Sequence, residues 1–279
     1  MQLIRRESFA TITAVATDGS GAQIEPDEAK VTITRDSDGE VIASEQSATV
    51  EGALLSYEVA AEDVPRVDLL RVEWEIAMGG KTAAIVHEVG VVGAFVCSLS
   101  EIRDAIGNAT DAEISDAALA VARAKAEALL EGRCNVAFRP SYMRERRRGD
   151  GTDELFVSRP RLLSVRSASI GGQAISLGEL APSISGTITR TTPWPEGVEV
   201  EVVYEHGYPA PPDDMREAAI KLARDYAIAD PSNYDQRAGR IETAEAVYGF
   251  LTTAGAGGAE TSIPEVNAVI QAYRHPVIA

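Results

Sequence analysis

The sequence predicts an α+β protein with two domains, an N-terminal β-sandwich followed by a mainly helical domain with β-hairpins and a C-terminal arm. Short alternating runs separated by turn residues fill the chain as far as about Phe95. A helix-capping motif then begins at Ser98. Further on, an alternating strand over Val198–Tyr204 leads through prolines into an amphipathic helix. These three observations predict the fold class.

Six short segments in the N-terminal half alternate apolar and polar residues, as strands with one buried face do. They read FATITAVAT, AKVTITRD, GEVIASEQ, LLSYEVA, LLRVEWEIAM and TAAIVHEVGVV. Trp74 shares one face of its strand with Val72 and Ile76, while charged residues occupy the other face. We therefore predict that Trp74 lies in the core of the sandwich and not on a sugar-binding surface.

Two helices are predicted after the sandwich. Ser98 and Glu101 have the spacing of a capping box, so the first helix begins there and ends around Gly107. The same device at Thr110–Glu113 starts a second helix over about Asp111–Glu131, and Gly132 is expected to stop it. The face predicted to be buried contains Ile114, Ala117, Ala118, Val121, Ala128 and Leu129.

The next part of the chain is predicted to form hairpins, followed by two more helices. The strand segments are Tyr142–Arg148, Glu154–Val157, Leu162–Ile170, Gln173–Ile175, Thr187–Thr191 and Val198–Tyr204. Asp213 and Asp214 then supply anions at the start of a helix. The apolar stripe of that helix consists of Met215, Ala218, Ala219, Leu222, Ala223 and Tyr226. The glycines of Gly255–Gly258 predict a hinge before a last short helix that ends at Tyr273.

Composition and charge exclude several functional classes. The chain of 279 residues has a net charge of -17, which argues against a general affinity for the nucleic acid backbone, because that affinity depends on Lys and Arg. No apolar run approaches the roughly 18 residues of a membrane span, and the start is not a convincing signal peptide, so we expect synthesis in the cytoplasm. Cys97 and Cys134 lack the spacing of a zinc site, and we interpret both as buried thiols.

No catalytic, cofactor or metal site is predicted. His87, His206 and His275 fall in separate elements, and no Ser, Cys or Thr stands in a motif that pairs it with one of them. We interpret His206 as a turn or interface side chain. Acidic residues are so abundant that no pair of them specifies metal or acid–base chemistry.

One basic cluster occurs in this acidic chain. Strand alternation places Arg144, Arg146 and Arg148 on one face, where they could contact phosphate or an acidic partner surface. A solvated hairpin tip explains the cluster equally well. These three arginines are the candidate hairpin contacts.

Five motifs follow one another in the remainder of the chain. They are SLSEIRDAIG, AEALLEGRCNVAF, RPRLLSVRSASIGGQAI, VVYEHGYPAPPDDMREAAIKLARDY and SIPEVNAVIQAYR. Their order resembles the head-to-tail connector, or adaptor, family of long-tailed bacteriophages over about Phe95–Ala279. The N-terminal half resembles the immunoglobulin-like additions of some phage structural proteins. The resemblance implies domains at 1–95 and 96–279, with 255–279 as a hinged C-terminal arm.

The resemblance also implies a structural protein of the virion neck, without enzymatic activity or a cofactor. Such proteins form a ring, typically of twelve copies, beneath the portal of a DNA-filled head, with a stopper or tail protein below. An acidic lumen suits this role, because genomic DNA can slide through it without sequence-specific binding. Within the arm, the candidate portal or inter-subunit contacts are Ile263, Val266, Val269, Ile270 and Tyr273.

Two other hypotheses follow from the sequence. In the first, the chain is a tail or capsid-surface protein whose β-domain binds a host glycan while the helical half oligomerises. In the second, it is a hydrolase with an accessory β-domain. The sequence disfavours the hydrolase, because no nucleophile motif accompanies the three histidines.

Overall fold

The computed structural model describes residues 1–107, 114–228, 240–242, 247–249 and 261–275, and it describes the two three-residue pieces by their backbone alone. It confirms the α+β class with a strand-rich N-terminal region. The chain forms two compact units, one with Met1–Phe95 and Asn135–Pro211, the other with Val96–Cys134 and the described residues after Pro211. The division into domains 1–95 and 96–279 stays a prediction. The predicted Thr110–Glu113 cap and Gly255–Gly258 hinge lie outside the described residues.

Eight strands form two sheets in the N-terminal part of the first unit. They are β1 (Gln2–Arg5), β2 (Ala10–Val15), β3 (Glu28–Arg35), β4 (Val41–Ser47), β5 (Thr49–Glu51), β6 (Leu54–Val59), β7 (Asp68–Met78) and β8 (Lys81–Val92). The larger sheet has the order β1-β8-β7-β3-β4, and the smaller has the order β2-β6-β5. A 3-10 helix, Ala61–Asp63, connects β6 to β7. All six predicted strands are confirmed, whereas β1 and β5 are too short for alternation to indicate them.

One apolar core joins these two sheets. Ile12 and Leu55 of the smaller sheet share it with Ile33, Leu70 and Trp74 of the larger sheet, and all five side chains are completely buried. Trp74 therefore lies in the core, as predicted. Each buried side chain of this size contributes about 1.5–3 kcal/mol relative to an exposed one, so the shared core holds the two sheets together.

Seven more strands complete the sheets of the first unit. They are β9 (Ser141–Arg148), β10 (Glu154–Phe156), β11 (Leu162–Ile170), β12 (Gln173–Ala174), β13 (Leu180–Pro182), β14 (Thr187–Arg190) and β15 (Glu199–His206). They form a four-stranded sheet, β12-β11-β15-β9, and a three-stranded sheet, β10-β14-β13. A 3-10 helix, Leu177–Glu179, precedes β13. Both sheets contribute to a second core around the completely buried Trp194 and Tyr204.

Hairpins form in part of this region. Antiparallel neighbours pair in β11–β12 and β13–β14, as expected. By contrast, β9 does not pair with the following strand β10. It pairs along its whole length with β15, so that it becomes an edge strand of the four-stranded sheet. Two further short strands, β16 (Arg240–Glu242) and β17 (Val247–Gly249), pair with each other.

Four helices lie among the described residues of the second unit. They are α1 (Leu99–Ala105), α2 (Asp116–Cys134), α3 (Asp213–Ile228) and α4 (Pro264–Tyr273). The capping box of α1 is confirmed, because the Glu101 amide donates to the Ser98 hydroxyl at 3.1 Å and the Ser98 amide donates to the Glu101 carboxylate at 2.8 Å. The stripe of α3 is buried as predicted, except that Tyr226 is half-buried. No helix among these described residues is long and apolar enough to cross a membrane.

The ends of α2 differ from the prediction. The helix begins at Asp116, where the Ser115 hydroxyl accepts from the Ala118 amide at 3.3 Å. It continues through Gly132 to Cys134. Asn135 follows with a φ of 53°, and Asn is one of the few residues besides glycine that adopts this left-handed conformation readily. The stop is therefore Asn135 and not Gly132.

The buried face of α2 is also different from the predicted one. The residues that α2 buries are Leu119, Ala122, Ala126, Glu127, Leu130 and Cys134. Of the predicted face, Ala117, Ala118, Val121 and Ala128 are exposed, and only Ile114 and Leu129 are half-buried. The helix is apolar on two opposite sides, and the side with the bulky Leu119 and Leu130 packs into the core because larger side chains bury more apolar area.

Candidate assembly surfaces

The three predicted arginines of β9 lie on one face of the four-stranded sheet. Arg144 and Arg146 bind the two oxygens of the same carboxylate, that of Glu201 on β15, at 2.7 and 2.8 Å. Arg148 is exposed opposite Glu199 and forms no salt bridge with any described residue. Cross-strand ion pairs of this kind support the β9–β15 pairing. They also leave Arg148 as the arginine most accessible to a partner.

Arg144 has a second role, in joining β9 to the N-terminal strands. Its Nε donates to the Asp36 carboxylate at 2.8 Å, and the Tyr142 hydroxyl donates to the same carboxylate at 2.6 Å. Asp36 directly follows β3, so this contact connects the two groups of sheets within the first unit. Burial and the hydrogen bond to Asp36 raise the pKa of Tyr142, which keeps its hydroxyl a donor.

A second ion pair supports the same connection. The Arg166 guanidinium binds Glu205 at 2.6 Å and lies 3.5 Å from the carboxylate of Asp68, which is almost completely buried. The Ser37 hydroxyl and amide also donate to Asp68. A buried carboxylate needs such partners because an unpaired buried charge is strongly destabilising. No local pattern in the sequence predicts this joint, since its members are distant in the sequence.

The opposite face of β9 carries a buried polar cluster around Glu145. Its carboxylate accepts from the Tyr204 hydroxyl at 2.8 Å, the Ser158 hydroxyl at 2.9 Å and the Ser158 amide at 3.1 Å, and Arg147 pairs with it. Burial alone would raise the pKa of Glu145, but these hydrogen bonds and the Arg147 charge outweigh burial and hold the pKa below its usual value. The Glu145 carboxylate is thus bound by other side chains and an amide of the same chain.

The chain turns tightly after β15. Gly207 has a φ of 108°, and a Cβ at this position would lie 2.2 Å from the Arg139 carbonyl oxygen. The ring of Tyr208 then lies between the Phe138 ring, at a centroid distance of 5.6 Å, and the Arg161 guanidinium, 3.7 Å from the Tyr208 centroid. Only glycine fits both the conformation and the space at this turn.

The three histidines lie on separate elements, with His87 on β8, His206 at the end of β15 and His275 after α4. His206 is buried at the end of β15, and its Nδ1 has no hydrogen-bond partner among the described residues. Burial, and then the charge of Arg159, lowers the pKa of His206 to about 3. His87 stacks on Trp74 at a centroid distance of 6.3 Å. Within the described residues, no three potential metal ligands cluster.

Four of the predicted contact residues of the arm lie on α4 and the fifth, Ile263, directly precedes it. The helix packs against α2 and α3 of the same unit. Val266 and Ile270 are buried there, and the Ile270 carbonyl accepts from the Cys134 thiol at 3.7 Å. The other three residues, Ile263, Val269 and Tyr273, are half-buried. The Tyr273 hydroxyl donates to Asp214 at the start of α3 at 2.8 Å. Two of the five predicted contacts are therefore covered by the chain itself.

The outward face of α2 is a mainly apolar helix face that stays exposed. It contains Ala117, Ala118, Val121, Ala124, Ala128 and Gly132, all of them exposed. The exposed fraction of Val121 is 55%. Lys125 is the one charged residue between them. We call these six residues the outer face of α2. Their small side chains allow another helix to approach closely.

Comparison with known proteins finds five chains of solved structures that match this one. No protein-family model and no curated protein matches the sequence. The chain is similar to a solved structure described as the neck of an empty GTA particle computed with C6 symmetry. The identity is 20% and the TM-score 0.47, and the similarity covers 65% of this chain and 90% of that chain. The functional proposal below rests on the residues of this chain.

Proposed function

We propose that this chain is a structural head-to-tail connector of a phage-like particle. In this proposal it forms a ring, of twelve copies by the family resemblance, beneath the portal and above a stopper or tail protein. The ring is part of the virion neck and leaves a channel for genomic DNA. It has no enzymatic activity. The resemblance of the ordered motifs from Ser98 onwards supports this proposal, and so does the exposed apolar face of α2.

The observation that carries the proposal is the outer face of α2. A helix that buries one face and exposes polar residues on the other needs no further partner, whereas α2 is apolar on both sides. Covering the second apolar face removes it from water and stabilises an oligomer. A ring closes when each copy presents one surface to the next copy in a head-to-tail contact. The outer face of α2 is our candidate for one side of that contact.

Three further features agree with the proposal. Arg148, and with it Arg146, is accessible at the end of the β9–β15 ladder and offers charge to an acidic neighbour. Ile263, Val269 and Tyr273 leave part of α4 uncovered as a candidate portal or inter-subunit contact. The net charge of -17, multiplied by the copies of a ring, disfavours adhesion of DNA to the channel wall. The alternative of a glycan-binding surface protein gains no support from Trp74, which is completely buried.

The proposal is tested by placing a charge on the outer face of α2. We expect Val121→Asp to abolish the ring, because a carboxylate buried between subunits without a partner is costly. Val41→Asp is the matched control, since Val41 is 52% exposed and lies on β4, far from α2 in the sequence. The measurement is native mass spectrometry of the purified chain, alone and mixed with the portal protein of the same particle. Rings that form equally well with both variants would contradict the proposal.

A further inference from the structure

Three of the four sheet edges of the N-terminal strands are protected against pairing with another chain. On β4, the pairing with β3 is interrupted by register shifts, and Glu45 has a φ of 48°. β5 has only three residues. At β2, the Gln2 side chain donates to the Thr11 carbonyl at 2.7 Å and accepts from the Thr13 amide at 3.2 Å. Irregular, short or covered edges of this kind prevent association through added strands.

The fourth edge, that of β8, has no such protection over Lys81–Glu88. β1 pairs only with its last four residues, Val89–Val92. The pairing of β8 with β7 is continuous from Met78–Lys81 to Asp68–Val91, without a register shift. The stretch contains no proline and carries charge only at Lys81 and Glu88. An exposed regular edge of this length is a template for another strand.

The turn before β8 determines which backbone groups point outward. Gly79 and Gly80 both have positive φ, as in a two-residue type I′ hairpin, where the flanking Met78 and Lys81 pair directly. Hydrogen bonding to β7 then alternates along β8, so Thr82, Ala84, Val86 and Glu88 direct their N–H and C=O groups away from β7. Farther along, the Val92 carbonyl indeed accepts from the Arg6 amide at 2.9 Å on this outer side.

The outward groups of Thr82, Ala84 and Val86 lie beyond the register of β1 and make no hydrogen bond to any described residue, whereas the Gln2–Val89 pairing brings the Glu88 carbonyl to β1. The side chains beside them are also incompletely covered. Ala83 is exposed, and Ile85 and His87 are half-buried, although all three point to the core side of the sheet. A strand added here would complete the cover of these three residues.

We infer that the Lys81–Glu88 edge of β8 accepts an extended segment of a different protein, with apolar residues at alternate positions and basic or hydroxyl residues between them. Backbone hydrogen bonds supply affinity in this mode of recognition, and alternate side chains supply specificity. The apolar side chains of this segment would lie beside Ala83, Ile85 and His87, on the core side of the sheet. This inference goes beyond the proposed ring and does not depend on it.

The charge on the outer side of the sheet determines which residues suit the positions between the apolar ones of the added segment. On the outer side of the sheet, Glu88 lies on the edge strand, and Glu73 and Glu75 pair with Val86 and Ala84. Arg71 on the same side pairs with Glu88 and lies 3.6 Å from Glu73, so on these two strands three carboxylates share this face with one arginine. Ala84 is small, so a long basic side chain on an added strand can reach across it toward Glu75. Opposite charges on neighbouring strands stabilise a sheet, and like charges destabilise it. An acidic segment is therefore disfavoured.

The test uses the purified full chain and the synthetic peptide KVTVKVT with blocked ends. We expect saturating peptide to slow hydrogen exchange of the Thr82, Ala84 and Val86 amides by about tenfold or more, because they gain hydrogen bonds. The acidic peptide EVTVEVT is expected to bind about threefold more weakly. Glu88→Lys is expected to reduce this preference, and it leaves the backbone of the edge unchanged.

A pair of variants at Ala84 separates backbone pairing from side-chain effects. Ala84→Pro removes one outward N–H and is compatible with an edge strand whose N–H faces solvent, so the fold is retained and peptide protection is lost. Ala84→Ser keeps the N–H and keeps the protection. Unchanged exchange with both peptides up to about 1 mM would overturn the inference. Protection that rises with protein concentration in the absence of peptide would also overturn it, since the occupant would then be a second copy.

Discussion

Gly207 shows how strongly one residue can be specified by its surroundings. It combines a φ of 108° with a Cβ position 2.2 Å from a backbone oxygen, and its own amide donates to the Arg161 carbonyl at 2.9 Å. The oxygen belongs to the main chain and has no flexible side chain that could move aside. The turn after β15 is therefore possible only with glycine, and the stacked Tyr208 follows it immediately.

We predict that Gly207→Ala lowers the free energy of unfolding by about 3 kcal/mol, through backbone strain and steric overlap together. Gly172→Ala is the control, because Gly172 also has a positive φ of 81° but nothing lies within 4 Å of its Cβ position. That substitution is expected to cost only about 1 kcal/mol. Urea unfolding monitored by tryptophan fluorescence measures both, and equal losses would contradict the steric explanation.

The burial of His206 should make the stability of the fold depend on pH. Its pKa falls from 6.5 in the unfolded chain to about 3 in the folded chain, so below pH 6.5 the unfolded chain binds a proton that the folded chain does not. Stability is therefore lost as the pH falls from about 6.5 toward 3, by at most about 1.4 kcal/mol per pH unit. Replacing the side chain removes this contribution.

The measurement is the free energy of unfolding between pH 7 and pH 5 for the native sequence and for His206→Leu. We expect a smaller decrease in the variant. His87, whose pKa burial also lowers, contributes equally to both proteins and cancels in the difference. Identical slopes would show that His206 is not a buried neutral histidine.

At the scale of elements, strands and helix caps could be predicted from the sequence. The surfaces and residues that pack against each other could not. Alternation located β7 and the burial of Trp74, and the Ser98–Glu101 spacing located the start of α1, because these signals are local. Which apolar face of α2 enters the core depends on tertiary packing, and the prediction from the sequence was wrong. Likewise, Arg144 binds Asp36, which lies 108 residues away in the sequence, and no local pattern links residues so far apart.

The three arginines on one face of β9, Arg144, Arg146 and Arg148, give a prediction at this scale. We expect Arg144→Leu to lower the free energy of unfolding by about 2 kcal/mol, since it breaks charged hydrogen bonds to Asp36 and Glu201. Arg148→Leu is expected to change it by less than about 0.5 kcal/mol, because no described residue pairs with Arg148. Chemical denaturation distinguishes the two. A larger loss of unfolding free energy for Arg148→Leu than for Arg144→Leu would contradict the view that Arg144 supports the fold and Arg148 is accessible to a partner.

At the scale of the whole molecule, three described surfaces are the candidate contacts of the proposed ring. The outer face of α2, the accessible Arg148 and the uncovered part of α4 all lack full cover within the chain. None of these surfaces requires a reactive side chain. In the proposed ring, the charge of -17 on each copy would act through a long-range field rather than through one site.

Neighbouring residues of α4 should separate folding from assembly. Val266→Asp places a charge in the core of the helical unit and is expected to unfold α4 from α2 and α3. Val269→Asp alters a half-buried residue and should keep the helix content while weakening portal or inter-subunit binding. Circular dichroism and co-sedimentation with the portal protein measure the two effects. Normal portal binding and ring formation by Val269→Asp would exclude this part of α4 as a contact.

The most direct test of the connector proposal is a cryo-electron microscopy reconstruction of the neck of the native particle. We predict a closed ring of this chain around the DNA channel, beneath the portal, with the outer face of α2 covered by a neighbouring copy. Finding the chain on the capsid or tail surface, or finding Val121 exposed to solvent within a ring, would contradict the account.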